Sequence, residues 1–321
     1  MQKIDAKNID LFYEILDEAC MLLYDELKIS YLEALIRVGN DIVFEIDDSR
    51  ISLETFEKLQ EIYKRLTNKI FLNEEIRLAF ELLMVKAFKH SDINYEIITP
   101  DTINYLVSVI SSDLMGDKDI KILDPMLGSG NMLEAIANNF PRKVELIGIE
   151  NNSNLVKLAE INSNLEGNII DIYFQDTLNS INNIVDLIVC DFDNSNINTK
   201  TNSYLNNNGI TYLPYLVIEK HLENLKDKGY LVLVIDNDFF EQKGSNIFHE
   251  YILNKMTFMA LITLPPSLTK EGHPGKSILI GKKEVLSDYR IEIMNIEDFD
   301  RNKLDNVFIK LSGIIENIKN N

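Results

Sequence analysis

The stretch Lys121-Ile-Leu-Asp-Pro-Met-Leu-Gly-Ser-Gly-Asn-Met-Leu133 carries the residue types with which a chain approaches a ligand. An apolar run ends at Asp124, Gly128-Ser-Gly130 form a turn, and an amphipathic helical pattern begins. Glycines let a backbone come close to a bound group, and a carboxylate at the tip of the neighbouring strand can accept both hydroxyls of a ribose. Glu150 stands in that position, closing the apolar run Val144-Glu-Leu-Ile-Gly-Ile149. The spacing predicts a site for a nucleoside-containing cofactor.

Spacing alone leaves two cofactors open. A dinucleotide fingerprint, G-x-G-x-x-G, needs a third glycine for close helix–strand packing, and Leu133 occupies that position. Asp124, placed before the glycines, suits a cation better than an anionic pyrophosphate. S-adenosylmethionine carries a sulfonium and an ammonium, both favoured near a carboxylate. It is preferred over NAD, which would make the chain an oxidoreductase.

The elements that must position these residues follow from hydrophobic periodicity. Residues 8–90 read as four helices, with Ser52 a candidate cap and Asn73 the entry to the last. From about residue 100 the pattern changes. Thr99-Pro-Asp101 opens a helix, with Pro at the first helical position. Seven apolar runs then alternate with helical stretches: 120–123, 144–149, 170–174, 187–190, 230–235, 258–264 and 277–280. Alternating strands and helices predict an α/β, Rossmann-like, seven-stranded, doubly wound sheet. The last two runs lack a helix between them and are expected to pair antiparallel. Domain boundaries are expected at 1–95 for a helical N-terminal domain and 96–321 for the ligand-binding domain. Segment 193–210 reads as a polar loop with little to bury, of the kind that forms lids. A further strand at 290–293 and a helix near 302–318 are expected in the tail.

Composition narrows the partners. The formal charge of −19 over 321 residues, with neither half a basic arm, disfavours strong autonomous DNA binding. Cys20 and Cys190 define no disulfide framework, four histidines show no metal-ligand spacing, and no apolar run is long enough to span a membrane. A cytoplasmic setting is expected, with a protein partner for the N-terminal helices.

Asp124-Pro-Met-Leu-Gly-Ser-Gly-Asn-Met-Leu133 resembles the cofactor motif of class I S-adenosylmethionine-dependent methyltransferases. It is most similar to the adenine-N6 DNA methyltransferases related to type I restriction–modification methylation subunits. Ile98-Thr-Pro-Asp101, Gly148-Ile-Glu150 and Phe174-Gln-Asp-Thr177 follow in the order of that family, as do the late strands Gly229–Ile235, Leu261–Ser267 and Lys276–Ile280. The resemblance covers about residues 95–283. It implies cofactor binding by Thr99, Pro100, Asp124, Pro125, Gly128, Gly130, Glu150, Asn151, Asp176 and Thr177. Within it, Thr99 and Pro100 lie beside the methionine moiety, Glu150 holds the ribose, and Asp176 contacts the adenine amine.

The same resemblance places the catalytic residues after the fourth strand, where family members carry Asp/Asn-Pro-Pro-Tyr/Phe. The first side chain and a backbone carbonyl accept the protons of the target amine, and the ring stacks on the flipped base. Here the residues are Asp191-Phe-Asp-Asn194, so Asp191, Phe192 and Asn194 are the candidates. Asp191 keeps the acceptor, both prolines are absent, and Asn194 has no ring. A lost base–aromatic stack costs about 1–3 kcal/mol. Phe192, Tyr204 and Tyr212 are the rings that could replace it. The expectation is a methyltransferase of the adenine-N6 DNA type with impaired transfer to adenine, engaging DNA weakly or through a partner. The alternatives are a catalytically inactive cofactor-binding interaction protein, or transfer to RNA or protein.

Overall fold

Apolar stripes at helical spacing give four helices before residue 90: α1 (Ala6–Leu27), α2 (Tyr31–Val43), α3 (Leu53–Thr67) and α4 (Asn73–Lys89). The computed structural model describes residues 3–91, 98–269, 272–300 and 304–321. The boundary expected between residues 95 and 96 lies outside the described residues. By contacts the chain divides into two units: residues 1–99, 128–139 and 152–170, and residues 100–127, 140–151 and 171–321.

In the first unit each helix start has a local cause. Ser30 and Glu33 form a reciprocal capping box at α2. Ser52 caps α3 as expected, its side chain accepting from the Thr55 amide. At α4 the Glu75 carboxylate accepts from the Leu72 amide at 3.0 Å. The core runs through Ile15, Leu16, Leu23, Leu35, Phe80 and Leu83, all fully buried. Each such side chain contributes roughly 1.5–3 kcal/mol on leaving water. Two further helices belong to this unit, α6 (Asn131–Asn139) and α7 (Ser153–Glu166). Gly39 of α2 packs so closely on Ile161 of α7 that no β-carbon would fit.

The second unit is built on one sheet. Its strands are β1 (Ile120–Asp124), β2 (Val144–Glu150), β3 (Ile170–Phe174), β4 (Val185–Asp191), β5 (Leu225–Asp236), β6 (Thr257–Thr263), β7 (Lys276–Lys282) and β8 (Glu292–Asn295). The order is β3-β2-β1-β4-β5-β7-β6-β8. β1 is parallel to β2 and β4, and β4 to β5; β7 runs antiparallel between β5 and β6, as expected. Strand order reverses between β1 and β4, the place where open α/β sheets bind ligands. The remaining helices are α5 (Asp101–Met115), α8 (Tyr204–Asn207), α9 (Leu213–His221), α10 (Ser245–Leu253) and α11 (Leu304–Asn320). Tyr215 and Leu216 of α9 and Phe248 of α10 join Leu123, Cys190, Leu233 and Leu279 in one core on one face of the sheet. α5 packs against β5. The Rossmann-like, doubly wound α/β arrangement is therefore present.

Three expectations need correction. The sheet has eight strands, not seven. The extra strand is β8, parallel to β6 and shifted towards the C-terminus of the expected span, because Met294 and Ile296 are the buried alternation while Ile291 and Ile293 face outward. Pro100 is the residue preceding α5, and Asp101 is its first helical position. Segment 193–210 does bury side chains: Leu205 and Ile210 enter the core beside Tyr212 and Tyr215. Ser203 caps α8, and Glu219 accepts from the amides of Tyr204 and Leu205 at 2.7 and 3.0 Å. Two isolated apolar residues in a polar stretch leave no periodicity to read.

Candidate functional site

The parallel strands deliver acids to one edge. Asp124, Glu150, Asp191 and Asp236 are the last residues of β1, β2, β4 and β5, and Asp176 follows β3 by two residues. Asp124 is 3% exposed, and its Oδ1 accepts from the Met126 amide at 3.0 Å. Burial pushes its carboxyl up to about 7 against that hydrogen bond, and the charges of Asp191 and Glu150 raise it further. These three carboxyls are thus brought together around the strand-order reversal.

The backbone beside them is held by a few contacts. The Leu127 amide donates to Ile149 O at 2.9 Å, and the Leu127 side chain lies where a β-carbon on Gly148 would stand. Glu150 is half-buried, and its Oε1 accepts from the amide of exposed Asn151 at 2.8 Å. Pro125 is buried. Asp176 is exposed, with Oδ1 accepting from the Leu178 amide at 2.8 Å, so it does cap a turn. The Thr177 carbonyl lies 2.7 Å from His221 Nε2, in a ring whose burial lowers its pKa. Thr99 is buried, and the Pro100 carbonyl accepts from the amides of Ile103 and Asn104 at the start of α5.

In the first unit, Gly128 and Gly130 have φ of 57° and 80°, in the region that favours glycine. A β-carbon on Gly128 would meet open space, so the backbone of this turn is approachable. A β-carbon on Gly130 would press on Ala159 and Ile170 at 3.3 and 3.2 Å. Gly130 is required by packing as well as by its dihedral.

After β4 the side chains are engaged with one another. Asp191 Oδ1 pairs with Lys276 Nζ, and both side chains are largely buried. Phe192 is 7% exposed and belongs to the core, with its amide donating to Val234 O at 3.1 Å. Asp193 is exposed. Asn194 Nδ2 donates to Asp236 Oδ2 at 2.7 Å, and His273 Nε2 lies 3.6 Å from Asp236 Oδ1. Burial raises the Asp236 carboxyl, opposed by His273, Lys276 and Asn194. Of the rings expected to replace the missing stack, Phe192 and Tyr212 are core residues, and exposed Tyr204 stacks on Tyr251 at 5.4 Å. A cavity of about 810 Å³ opens beside this group, lined by Asn237, Thr263, Ser267, His273, Asn295 and Glu297 among others, with no Phe or Tyr among the described residues of its wall.

Asp236, His273 and Lys276 escaped the sequence reading. Asp236 had a legible signal, since it ends its strand in an acid just as Asp124, Glu150 and Asp191 do. Lys276 and His273 reach the site because β7 pairs antiparallel with β5 and so begins at the edge where β5 ends, a pairing that no spacing in the chain reveals.

A Rossmann-like sheet with a glycine turn and strand-tip acids defines a nucleoside-cofactor-binding class of protein, and comparison with known proteins narrows it. Residues 75–307 match the N-6 DNA Methylase family, and the chain belongs to that family. Residues 10–88 match the YtxK N-terminal helical domain, overlapping the first match within α4. The chain is 30% identical over 271 residues to the uncharacterized protein YtxK of Bacillus subtilis, covering 81% of this chain and 82% of that one. Among solved structures, it is similar to a Listeria monocytogenes protein assigned to the class I S-adenosylmethionine-dependent methyltransferases, with TM-score 0.86, 25% identity and coverage of 97% and 100%. It shares its fold with the methyltransferase subunit of a type I restriction–modification system from Streptococcus thermophilus, with TM-score 0.64, 15% identity and coverage of 95% and 74%. The chain is thus an S-adenosylmethionine-dependent methyltransferase by family. No described helix is long and apolar enough to cross a membrane.

Proposed function

We propose that this chain binds S-adenosylmethionine at the edge formed by β1, β2 and β3. Asp124, Pro125, Gly128, Gly130, Glu150, Asn151, Asp176 and Thr177 would hold it, with Thr99 and Pro100 beside the methionine moiety. The carrying observation is Asp124: a buried carboxyl at about 7, beside two further acids, is stabilised in its charged form by a cation. The approachable backbone at Gly128 fits a close ligand. When bound, the cofactor supplies a sulfonium-bound methyl group for direct displacement by an acceptor nitrogen. Asp191 is the residue that would accept the proton-bearing side of that nitrogen, with the Phe192–Asn194 backbone beside it. The division into a helical domain to residue 95 and a methyltransferase domain from residue 96, a cytoplasmic setting, and DNA engagement through a partner belong to the same reading.

Titration calorimetry with S-adenosylmethionine tests it. Glu150→Ala should weaken binding by about 1.5–3 kcal/mol, the scale of hydrogen bonds to a charged group. Equal affinity in the variant removes Glu150 from the site. A second reading, cofactor binding without transfer, is favoured by the pairing of Asp191 with Lys276 and of Asn194 with Asp236. Labelled-methyl transfer in a cell extract separates the two. An acceptor labelled by the wild type and not by Asp191→Ala establishes transfer.

A further inference from the structure

A turn made of Gly128-Ser-Gly130 has few side chains with which to hold its own shape, so the residues that flank it help to set its geometry. One flank is fixed by the Leu127 amide on β2. The other is Asn131, the first residue of α6, which is 4% exposed and gripped from α4. Asn131 Oδ1 accepts from Arg77 Nη1 at 3.1 Å, and Asn131 Nδ2 donates to Glu81 Oε2 at 2.5 Å. Both ends of the amide are used, each by a group of the sign it needs. An aspartate would set a carboxylate against Glu81, and an apolar residue would leave buried charges with a lost partner.

Arg77 itself is 1% exposed and belongs to a wider buried network. Its Nε and Nη2 hold Glu74 at 2.9 and 2.6 Å, a two-pronged pair with fixed geometry. Glu74 also accepts from Asn138 Nδ2 at 3.1 Å, and the same amide reaches Glu166 of α7 at 2.6 Å. The network therefore spans α4, both ends of α6 and the end of α7. Those two helices are the ones that follow the glycine turn and Glu150. Asn168 Nδ2 joins Asn138 Oδ1 at 3.1 Å to Glu134 Oε2 at 2.7 Å, and burial pushes Glu134 up to about 8 and raises Glu166 well above its ordinary value.

We propose that Arg77 and Glu81 are positioning residues that shape the glycine turn through Asn131, so that the N-terminal helices set the affinity of the cofactor site. This rests on the S-adenosylmethionine reading above. It gives the helical domain a task other than reading DNA: any partner that shifts α4 changes cofactor affinity through one buried amide.

The test is a double-mutant cycle on S-adenosylmethionine affinity, using Arg77→Met, Asn131→Ser and the pair. Binding is measured by calorimetry at a temperature where circular dichroism shows each variant folded. Each single change should raise Kd about tenfold, the equivalent of one charge-assisted hydrogen bond, and the double variant should be no weaker than the worse single one. A purely structural role would lower the melting temperature and leave Kd of the folded protein unchanged, which overturns the inference. So do multiplicative effects, because Arg77 would then not act through Asn131. Should Arg77→Met fail to fold, Glu81→Gln takes its place in the cycle. Wild-type protein that binds no S-adenosylmethionine overturns the cofactor reading and this inference together, whereas binding by the wild type with unaltered variants overturns this inference alone.

Discussion

If the ligand beside Asp124 is a cation, its affinity must track the ionisation of that carboxyl. Asp124 lies at about 7 because burial and two neighbouring acids disfavour its charge. Binding of a cation requires the ionised form, so the apparent Kd is the intrinsic value divided by the ionised fraction. That fraction rises from about one thirtieth at pH 5.5 to about one half at pH 7.0, so affinity for S-adenosylmethionine should increase roughly fifteenfold across this interval. The interval stays below the titration of an ordinary α-amino group at about 7.7–8.0, so the ligand's own ammonium remains charged. Calorimetry at each pH, repeated in two buffers of different ionisation enthalpy, reads both the affinity and the protons released. About half a proton should leave per ligand bound at pH 7.0. Asp124→Asn should bind more weakly and lose the pH dependence. Affinity that stays level from pH 5.5 to 7.0, with no buffer-dependent heat, would refute the argument that a carboxyl waits there for a positive ligand.

The same carboxyl has a consequence for stability. Its folded-state pKa is raised above the unfolded value of 3.8, so its contribution is fully present below about pH 4 and is lost as pH rises through 7. Without ligand, Asp124→Asn should therefore be more stable than the wild type at pH 8 by up to about 4 kcal/mol in urea titrations, and the advantage should shrink towards pH 4. A variant that is equally destabilised at both pH values would count against it. Lys276→Met leaves Asp191 without its buried cation and should cost about 1–3 kcal/mol, with Lys276→Met/Asp191→Asn losing less than the sum of the single changes. Strict additivity in urea unfolding would show that the pair contributes nothing jointly.

The strand-tip acids and the glycine turn were legible because their signals are local in the chain. Asp124, Gly128 and Gly130 sit within seven residues, and Glu150 ends the next apolar run of the sequence. Parallel strands joined by helices repeat that geometry, so each strand tip brings its acid to the same edge. The antiparallel pairing of β6 and β7 was legible from the missing helix between their two runs. The acceptor edge was less legible. It depends on pairings such as Lys276 with Asp191 and Asn194 with Asp236, which join residues 85 and 42 positions apart. The tie between Arg77 and Asn131 spans 54 positions and carries no periodicity either. Tyr212 was read as an available ring because aromatic residues in a polar stretch look exposed, whereas Leu205, Ile210 and Tyr212 together form a small apolar anchor.

The two halves of the strand edge differ in how their polar groups are satisfied, and this bears on the acceptor. Around Asp124 the charges of Glu150 and Asp191 add to burial in disfavouring its ionised form, a penalty that a positive group beside it would relieve. Beyond β4 the polar groups engage one another: Lys276 with Asp191, and His273 and Asn194 with Asp236. An adenine amine directed at the paired Asp191 oxygen would have to displace a largely buried ammonium and then leave that ammonium without a partner, a loss of about 1–3 kcal/mol for a charged group. It would also lack the ring on which family members stack the base, another ~1–3 kcal/mol. Both costs fall on a planar, uncharged base, and the described wall of the cavity next to this group carries no Phe or Tyr on which such a base could stack. The pairings beyond β4 therefore count against a flipped adenine at Asp191, and the labelled-methyl experiment with Asp191→Ala decides the point.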